Sequence, residues 1–432
     1  MKIKIILSII VSCLFINADR HDNIKTQINS ALNKLPAGTR IGMLIYNPLT
    51  RDTIYSINHT KSMIPASNTK LFTTAVALEI MGGSYTLSTQ IFTDDNDLTD
   101  GKIDGNIYIK GLGNSVFTSE DLTEMAAGLH GLGIKKITGN VIGDDTFFDD
   151  VYTRDDWIKD ENANVKLAPI SALVIDRNKT RVRKKSRGRL RTYTVNVTNP
   201  PLFAAEQLLE KMSELEIKVG GTAEKGETPL TAQLLLEETI ELRELIKLIN
   251  KNSNNFLAEC LFKTIGAVAS SKQGNSFYST QAILTFIEDN GIYSEGTSIV
   301  DGSGISRFDQ ITAGAIIGLL ERMYFDIKNF DDYYNSLSIA GIDGTLNERM
   351  YNTAAENNFR GKTGTLNGVS SLSGYLATAG GDDLIISIIF EFERGRWNTY
   401  RNIQDEIIEI LAGWKEESPE GLLQQGSKEN TN

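Results

Sequence analysis

The chain has 432 residues, of which 41% are hydrophobic and 23% charged, and its formal net charge at neutral pH is −11. This length indicates two or three domains with a buried core, and the acidic balance argues against a general nucleic-acid-binding protein. The sequence shows no metal-ligand cluster and no nucleotide-binding loop, so neither a metal nor a cofactor is expected.

The N-terminus has the pattern of an export signal. Two lysines precede a largely apolar stretch, 5–16, which is too short to span a bilayer. Cleavage after Ala18 would make residues 1–18 a signal peptide and the protein an exported, periplasmic one. An alternative interpretation is a lipoprotein signal in which Cys13 carries the lipid.

The first mature segment combines a helix with strands and a second, apolar helix. The pattern predicts an amphipathic helix over 22–35, strands over 41–46 and 53–57, and an apolar helix over 70–80. Ser67 stands directly before this last helix and is the only serine in the chain with a lysine three places on.

The middle region, 84–237, has a different sequence pattern, with short predicted strands separated by Asp-Gly or Gly-Asn turns. Helices are expected over 119–132 and 201–215, and the first should lead into a single strand over 137–142. We interpret the region as an α+β domain inserted into the catalytic domain, which would comprise 19–83 and 238–417.

The sequence becomes helical again after this region and ends in strands and a helix. A helix is expected over 242–265, or two helices broken near Ser253, and the remaining expected elements are helices over 277–290, 312–323 and 400–414 and strands from Lys362, over 374–378 and over 384–391. The polar residues 418–432 are expected to be disordered. Strands at both ends of the chain suggest one sheet assembled from both ends.

Three motifs in a fixed order carry the chemistry. Ser67-Asn68-Thr69-Lys70 is followed by Ser253-Asn254-Asn255 and then by Lys362-Thr363-Gly364. A spacing of three on a helix places Ser67 and Lys70 on the same face. None of the three histidines lies in a recognisable triad, so Lys70 is the predicted base for a Ser67 nucleophile.

Each remaining motif residue has a predicted role. Lys70 can act as a base only if its pKa falls, through burial or through a neighbouring cation such as Lys362. Ser253 is expected to pass a proton toward the leaving amine. The predicted substrate-binding residues are Asn255 for a backbone carbonyl, Lys362, Thr363 and Thr365 for a terminal carboxylate, and Gly364 for close approach of the substrate backbone. The backbone N–H groups of Ser67 and Thr365 are the expected oxyanion hole.

These motifs resemble those of the D-alanyl-D-alanine carboxypeptidase/endopeptidase family of low-molecular-mass class C penicillin-binding proteins. The long separation of Lys70 from Ser253 matches the domain inserted there in that family. Other family-like stretches are 111–114, 137–141, 301–307 and 340–346. The resemblance implies a penicillin-binding, β-lactamase-like α/β catalytic domain with an inserted α+β domain.

The same resemblance implies a serine DD-peptidase. Its partners would be peptidoglycan stem peptides ending in D-Ala-D-Ala, or the cross-links formed from them, with β-lactams as covalent inhibitors. The alternatives are a β-lactamase or esterase of the same superfamily, which the insertion and Ser-x-Asn motif disfavour, and a catalytically silent wall-binding protein. The balance of carboxypeptidase and endopeptidase activity stays open.

Two features of the middle and later regions allow two interpretations each. The segment 179–191 carries eight cations and predicts an exposed hairpin, either a solvated strand face or a contact with anionic envelope surfaces. It occupies the place of a further small domain in larger relatives, so two domains are expected here. Asp301 and Ser303 are interpreted as a tight structural turn, not as catalytic residues.

Overall fold

The computed structural model describes residues 21–95, 97, 100–157, 167–186 and 189–415. The predicted signal segment with Cys13 lies outside these residues, as do the tail over 418–432 and Arg187 and Gly188 of the basic segment. Within the described ranges, no helix is both long and apolar enough to cross a membrane.

The helices agree closely with the sequence pattern. In chain order they are α1 (Asp22–Leu32), α2 (Thr69–Met81), α3 (Ser119–Gly131), α4 (Pro200–Glu214), α5 (Leu242–Lys251), α6 (Asn255–Ser270), α7 (Ser276–Asp289), α8 (Ala313–Tyr324), α9 (Phe330–Ser336) and α10 (Trp397–Gly413). The region 242–265 does contain a break, because the Asn254 side chain accepts the Leu257 N–H at 3.1 Å and caps a new helix. The pattern did not predict α9.

The strands of the described residues fall into four sheets. They are β1 (Arg40–Asn47), β2 (Asp52–Ile57), β3 (Thr86–Thr93), β4 (Lys102–Ile103), β5 (Ile107–Leu112), β6 (Lys136–Ile137), β7 (Val141–Asp144), β8 (Lys179–Ser186), β9 (Arg189–Asn196), β10 (Lys218–Val219), β11 (Ala223–Lys225), β12 (Gln233–Glu241), β13 (Ser338–Ile339), β14 (Arg360–Leu366), β15 (Val369–Ala377) and β16 (Asp383–Glu391).

The largest sheet has six strands and joins the two ends of the chain, as the sequence predicts. Its order is β13-β14-β15-β16-β1-β2, and every neighbouring pair is antiparallel. Side chains alternate between the faces, so along β16 Ile385 and Ile389 enter one core while Ile386 and Ile388 enter another. Burial on both faces explains the continuous apolar run of β16.

Helices cover both faces of this sheet. On one face α1 and α10 pack together, with Ile28 and Ile407 fully buried. On the other face the core surrounds α2, where every residue from Thr69 to Leu78 is buried. A helix that is buried all round needs apolar residues on every face, and the sequence of α2 supplies them.

The middle region builds two smaller sheets, a five-stranded one in the order β11-β7-β5-β3-β12 and a three-stranded one in the order β10-β6-β4. The single strand predicted over 137–142 is wrong, because its two halves belong to different sheets. Gly139 lies between β6 and β7, where the chain passes from one sheet to the other. A Cβ at this position would approach the Gly105 carbonyl oxygen to 2.5 Å. The region has its own apolar core around Leu122, Leu173 and Leu208.

The same region also contributes to the helical core. Phe148, Trp157 and Ile170 pack with residues of α2 and α6. The proposed inserted domain over 84–237 therefore shares apolar contacts with the remainder of the chain, and its boundaries stay a prediction.

The basic segment forms a two-stranded antiparallel hairpin of β8 and β9. Its register pairs Lys179 with Asn196 at the base and Ser186 with Arg189 near the tip. This agrees with the exposed hairpin predicted from the alternation of its residues.

Candidate active site

The predicted nucleophile and base lie at the start of α2. Ser67 belongs to a short 3-10 turn, Ala66–Asn68, and Ala66 has a positive φ of 49°. Such a backbone is costly for a residue with a side chain and is found preferentially at functional sites. Lys70 follows in the first turn of α2 and is fully buried, and its Nζ lies 2.9 Å from Ser67 Oγ.

The second motif forms the turn between α5 and α6. Ser253 also has a positive φ, of 51°, which turns the chain so that α6 starts two residues later. Lys70 Nζ donates to Asn255 Oδ1 at 2.7 Å, whereas Ser253 Oγ accepts from Lys362 Nζ at 2.8 Å. The two motif side chains thus contact different lysines.

The third motif lies on β14, which packs against the turn that carries Ser67. Lys362 is fully buried and also donates to the Thr363 carbonyl oxygen at 2.7 Å. A Cβ on Gly364 would come within 3.0 Å of the Ser67 nitrogen and 2.8 Å of the Pro65 oxygen. Gly364 therefore allows β14 to approach the nucleophile turn closely, and its predicted role in close approach of the substrate backbone stays a prediction.

The two threonines of β14 have partners that the sequence did not reveal. Thr363 Oγ1 donates to Thr345 Oγ1 at 2.8 Å, and Arg401 donates to Thr365 Oγ1 at 3.3 Å. Arg401 belongs to α10 and stacks on the Trp397 ring at 4.0 Å. Its contact comes from the far end of the chain, so no local sequence signal could have indicated it.

One edge of β14 is available to a ligand. The neighbouring strand β13 pairs only with Arg360 and Gly361, so along 362–366 this edge has no strand partner among the described residues. An extended peptide could add to such an edge, beside Ser67. The oxyanion-hole role of the Ser67 and Thr365 N–H groups stays a prediction.

Burial governs the protonation of both lysines. It lowers the pKa of Lys70 to about 8, while the carboxylates of Asp301, Glu259 and Asp309 act in the opposite direction. The pKa of Lys362 is lowered well below its usual value, mainly by burial and then by repulsion from Lys70. Burial, one of the two predicted causes, lowers the pKa of Lys70, whereas repulsion between the two lysines lowers the pKa of Lys362.

Some residues that border the site were not predicted from the sequence to do so. Asp301 accepts the N–H groups of Ser303, Gly304 and Ser306, which agrees with the predicted structural turn. The carbonyl oxygen of Ser303, however, accepts from Lys70 Nζ at 2.5 Å, so this turn borders the site. Glu259 is also buried there, and a carboxylate within the apolar sequence of α6 was an available signal.

Other residues have structural roles. Cys260 is buried, as expected for a small apolar side chain, and burial raises the pKa of its thiol. Within the described ranges, no group of three histidine, cysteine or acidic residues could hold a metal ion.

Comparison with known proteins identifies this architecture. The description of the matching family model is the D-Ala-D-Ala carboxypeptidase 3 (S13) family, and it covers residues 24–192 and 185–413. The chain therefore belongs to this family and is an enzyme of the D-Ala-D-Ala carboxypeptidase class, which confirms the resemblance predicted from the motifs.

Individual relatives match over most of the chain. A D-alanyl-D-alanine carboxypeptidase of Actinomadura sp. strain R39 is 27% identical over 89% of this chain and 83% of that protein. Penicillin-binding protein 4 (dacB) of Haemophilus influenzae superposes with a TM-score of 0.79 at 21% identity, over 90% of this chain and 99% of that one. The penicillin G-acylated endopeptidase Bd3459 of Bdellovibrio bacteriovorus gives 0.54 at 14%, over 88% and 97%. These likenesses confirm the predicted fold class.

Proposed function

We propose that this chain hydrolyses peptidoglycan stem peptides ending in D-Ala-D-Ala, or their cross-links, through an acyl-enzyme on Ser67. The observation that carries the proposal is the buried Lys70, with its Nζ 2.9 Å from Ser67 Oγ. A pKa of about 8 gives Lys70 a substantial neutral fraction near neutral pH, which a general base requires.

Acylation begins with proton transfer from Ser67 to the neutral amine of Lys70. Ser67 Oγ then attacks the scissile carbonyl carbon, and the resulting oxyanion is stabilised by the N–H groups of Ser67 and Thr365. When the C–N bond breaks, the leaving amine takes a proton from Ser253, whose Oγ accepts from Lys362 Nζ in the free site. The proton held by Lys70 then returns to Ser253 through the bound substrate or water. Water, deprotonated by Lys70, then cleaves the ester and restores Ser67.

The substrate is held along the free edge of β14. Asn255 uses its Oδ1 for Lys70, so its amide N–H groups are left to donate to a substrate carbonyl. Lys362 and the hydroxyls of Thr363 and Thr365 supply donors for the terminal carboxylate, whose negative charge favours the charged form of Lys362. Separating the products from cross-linked and uncross-linked muropeptides would distinguish carboxypeptidase from endopeptidase activity.

β-Lactams would acylate the same serine, because their strained amide places a carbonyl and a carboxylate as the peptide does. Penicillin G acylates Bd3459, and H. influenzae penicillin-binding protein 4 has been solved with a β-lactam. A peptidoglycan substrate also requires export, which the N-terminal pattern supports. We further propose that the basic hairpin contacts anionic envelope surfaces.

Covalent labelling tests the proposal directly. A labelled penicillin should attach to the wild-type protein, and Ser67→Ala should remove the label because it removes the attacking oxygen. Ser56→Ala is the matched control, since Ser56 begins an out-of-order Ser-x-Asn on the exposed face of β2 and should label normally. Labelling of Ser67→Ala at the wild-type rate would contradict the mechanism.

A further inference from the structure

A buried carboxylate lies behind the candidate base without contacting it directly. Glu259 is on α6, four residues after Asn255, and only 3% of its surface is exposed. Its Oε1 accepts the N–H groups of Gly302 and Ser303 at 3.1 and 2.8 Å. The catalytic steps proposed above leave this residue without a role.

These hydrogen bonds connect Glu259 to Lys70 through the backbone of one residue, Ser303. The N–H of Ser303 points to Glu259, and the carbonyl oxygen of the same residue accepts from Lys70 Nζ. The preceding carbonyl, of Gly302, accepts from Thr73 Oγ1 on α2 at 2.8 Å. The peptides around Ser303 are thus held between α6 on one side and α2 on the other.

Other charged groups complete the surroundings of this turn. Asp301 folds the turn through three backbone N–H groups, and Asp309 accepts the N–H of Val300 at 2.7 Å and the hydroxyl of Thr69 at 2.9 Å. Arg154 donates to the Val300 carbonyl oxygen and pairs with Asp156. Lys70 in turn lowers the pKa of Lys362, the other buried lysine of the site. Glu259 shares the Ser303 N–H with Asp301 and is the member of this group that bonds the turn from α6.

We propose that Glu259 is a positioning residue for Lys70. By accepting the Gly302 and Ser303 N–H groups, it fixes the Ser303 carbonyl as an acceptor that orients Nζ toward Ser67 Oγ. The inference rests on the proposed function, in which Lys70 is the base. It assigns Glu259 no contact with substrate.

Two substitutions separate position from charge. Glu259→Gln keeps an oxygen at the position of Oε1 but cannot ionise, whereas Glu259→Asp keeps an ionisable carboxyl group but withdraws the acceptor by one methylene group. We expect the Gln variant to be acylated by labelled penicillin at close to the wild-type rate. The Asp variant should be slower by about 10²-fold, the usual effect of a displacement near 1 Å at a reacting group.

The pH dependence of acylation provides a readout that a purely structural role would not move. A carbonyl that accepts from Lys70 favours its charged form, so loss of this hydrogen bond should lower the Lys70 pKa. The midpoint of the acylation profile of Glu259→Asp should therefore move to lower pH. Asp144→Asn is the control, because Asp144 is a buried carboxylate that accepts the Thr228 N–H in the five-stranded sheet.

The outcomes are distinct from those of the proposed function. If Ser67→Ala abolishes labelling while folded Glu259→Asp matches the wild-type rate and midpoint, the positioning role is overturned and the peptidase proposal stands. A slow Gln variant beside a normal Asp variant would overturn it too, because charge would then matter and position would not. Equal losses in both variants, or in the Asp144 control, would also overturn it. Thermal denaturation shows which variants are folded.

Discussion

Two buried lysines face one serine-rich site, and among the described residues neither forms a salt bridge with a carboxylate. Lys70 and Lys362 are each fully buried, and within the described ranges their hydrogen-bond partners are hydroxyl, amide and carbonyl oxygens. Desolvation favours the neutral amine of such groups. Burial therefore supports the proposal that Lys70 acts as the base without a histidine.

The Lys70 pKa predicts the pH dependence of acylation. The neutral amine dominates above the pKa, so the rate should rise with pH through about 8 and then level off. Lys70→Arg should be inactive over the whole range, because arginine does not lose its proton. Lys263→Arg on α6 is the control. A rate that is independent of pH on both sides of this value would contradict Lys70 as the base.

Lys362 should matter for catalysis more than for folding. Lys362→Ala removes the donor to Ser253 and the cation proposed for the substrate carboxylate, so acylation should slow by about 10²–10³, as for other positioned electrostatic donors. The measurements are the labelling rate and the melting temperature. Unchanged labelling by a folded variant would remove Lys362 from the mechanism.

At the scale of elements, the hairpin of β8 and β9 is the most unusual part of the molecule. Lys179, Arg181, Arg183 and Lys185 alternate along β8 and so share one face. Lys184 and Arg191 lie directly opposite each other, an arrangement of like charges that is destabilising by itself. Within the described residues, none of these cations forms a salt bridge. An external anion would relieve this repulsion.

A charge-neutral hairpin tests that contact. Replacing Arg183, Lys184, Lys185 and Arg187 with Gln should leave turnover of a small soluble peptide unchanged. It should weaken sedimentation with anionic vesicles or sacculi at low salt, since such attraction is screened beyond a Debye length of about 8 Å at physiological ionic strength.

The control variant removes exposed cations elsewhere, at Lys135 and Lys136, and should sediment like the wild type. Equal sedimentation of the hairpin variant and the wild type at low salt would leave the hairpin as a solvated strand pair.

Sequence periodicity predicted the location of most helices and strands, but it did not predict which strands pair in a sheet. The apolar period found α2 and α6, and the asparagine at 254 marked the break between α5 and α6. The strand predicted over 137–142 failed because pairing to two sheets depends on distant residues. The short helix α9, Phe330–Ser336, has too few turns for a clear period.

At the scale of the whole molecule, the motif order located the chemistry, and the fold supplied the geometry around it. Ser67, Lys70, Ser253, Asn255 and Lys362 were recognisable because their types and spacing are unusual together. Glu259, Asp309, Thr345 and Arg401 were not, because their roles depend on contacts between segments far apart in the chain. A single sequence contains no signal for such contacts beyond a charge in an apolar run.

The six-stranded sheet also sets the timing of activity during synthesis. The turn before Ser67 is completed by the hydroxyl of Ser371, which donates to the Pro65 carbonyl oxygen at 2.7 Å across 306 residues of chain. Domains generally fold from the N-terminus as the ribosome delivers them. Here Ser67 emerges early, but β14, β15 and β16 are delivered only with residues 360–391. A nascent or truncated chain ending before residue 360 would carry Ser67 and Lys70 without a complete site, so peptidase activity has to wait for these three strands.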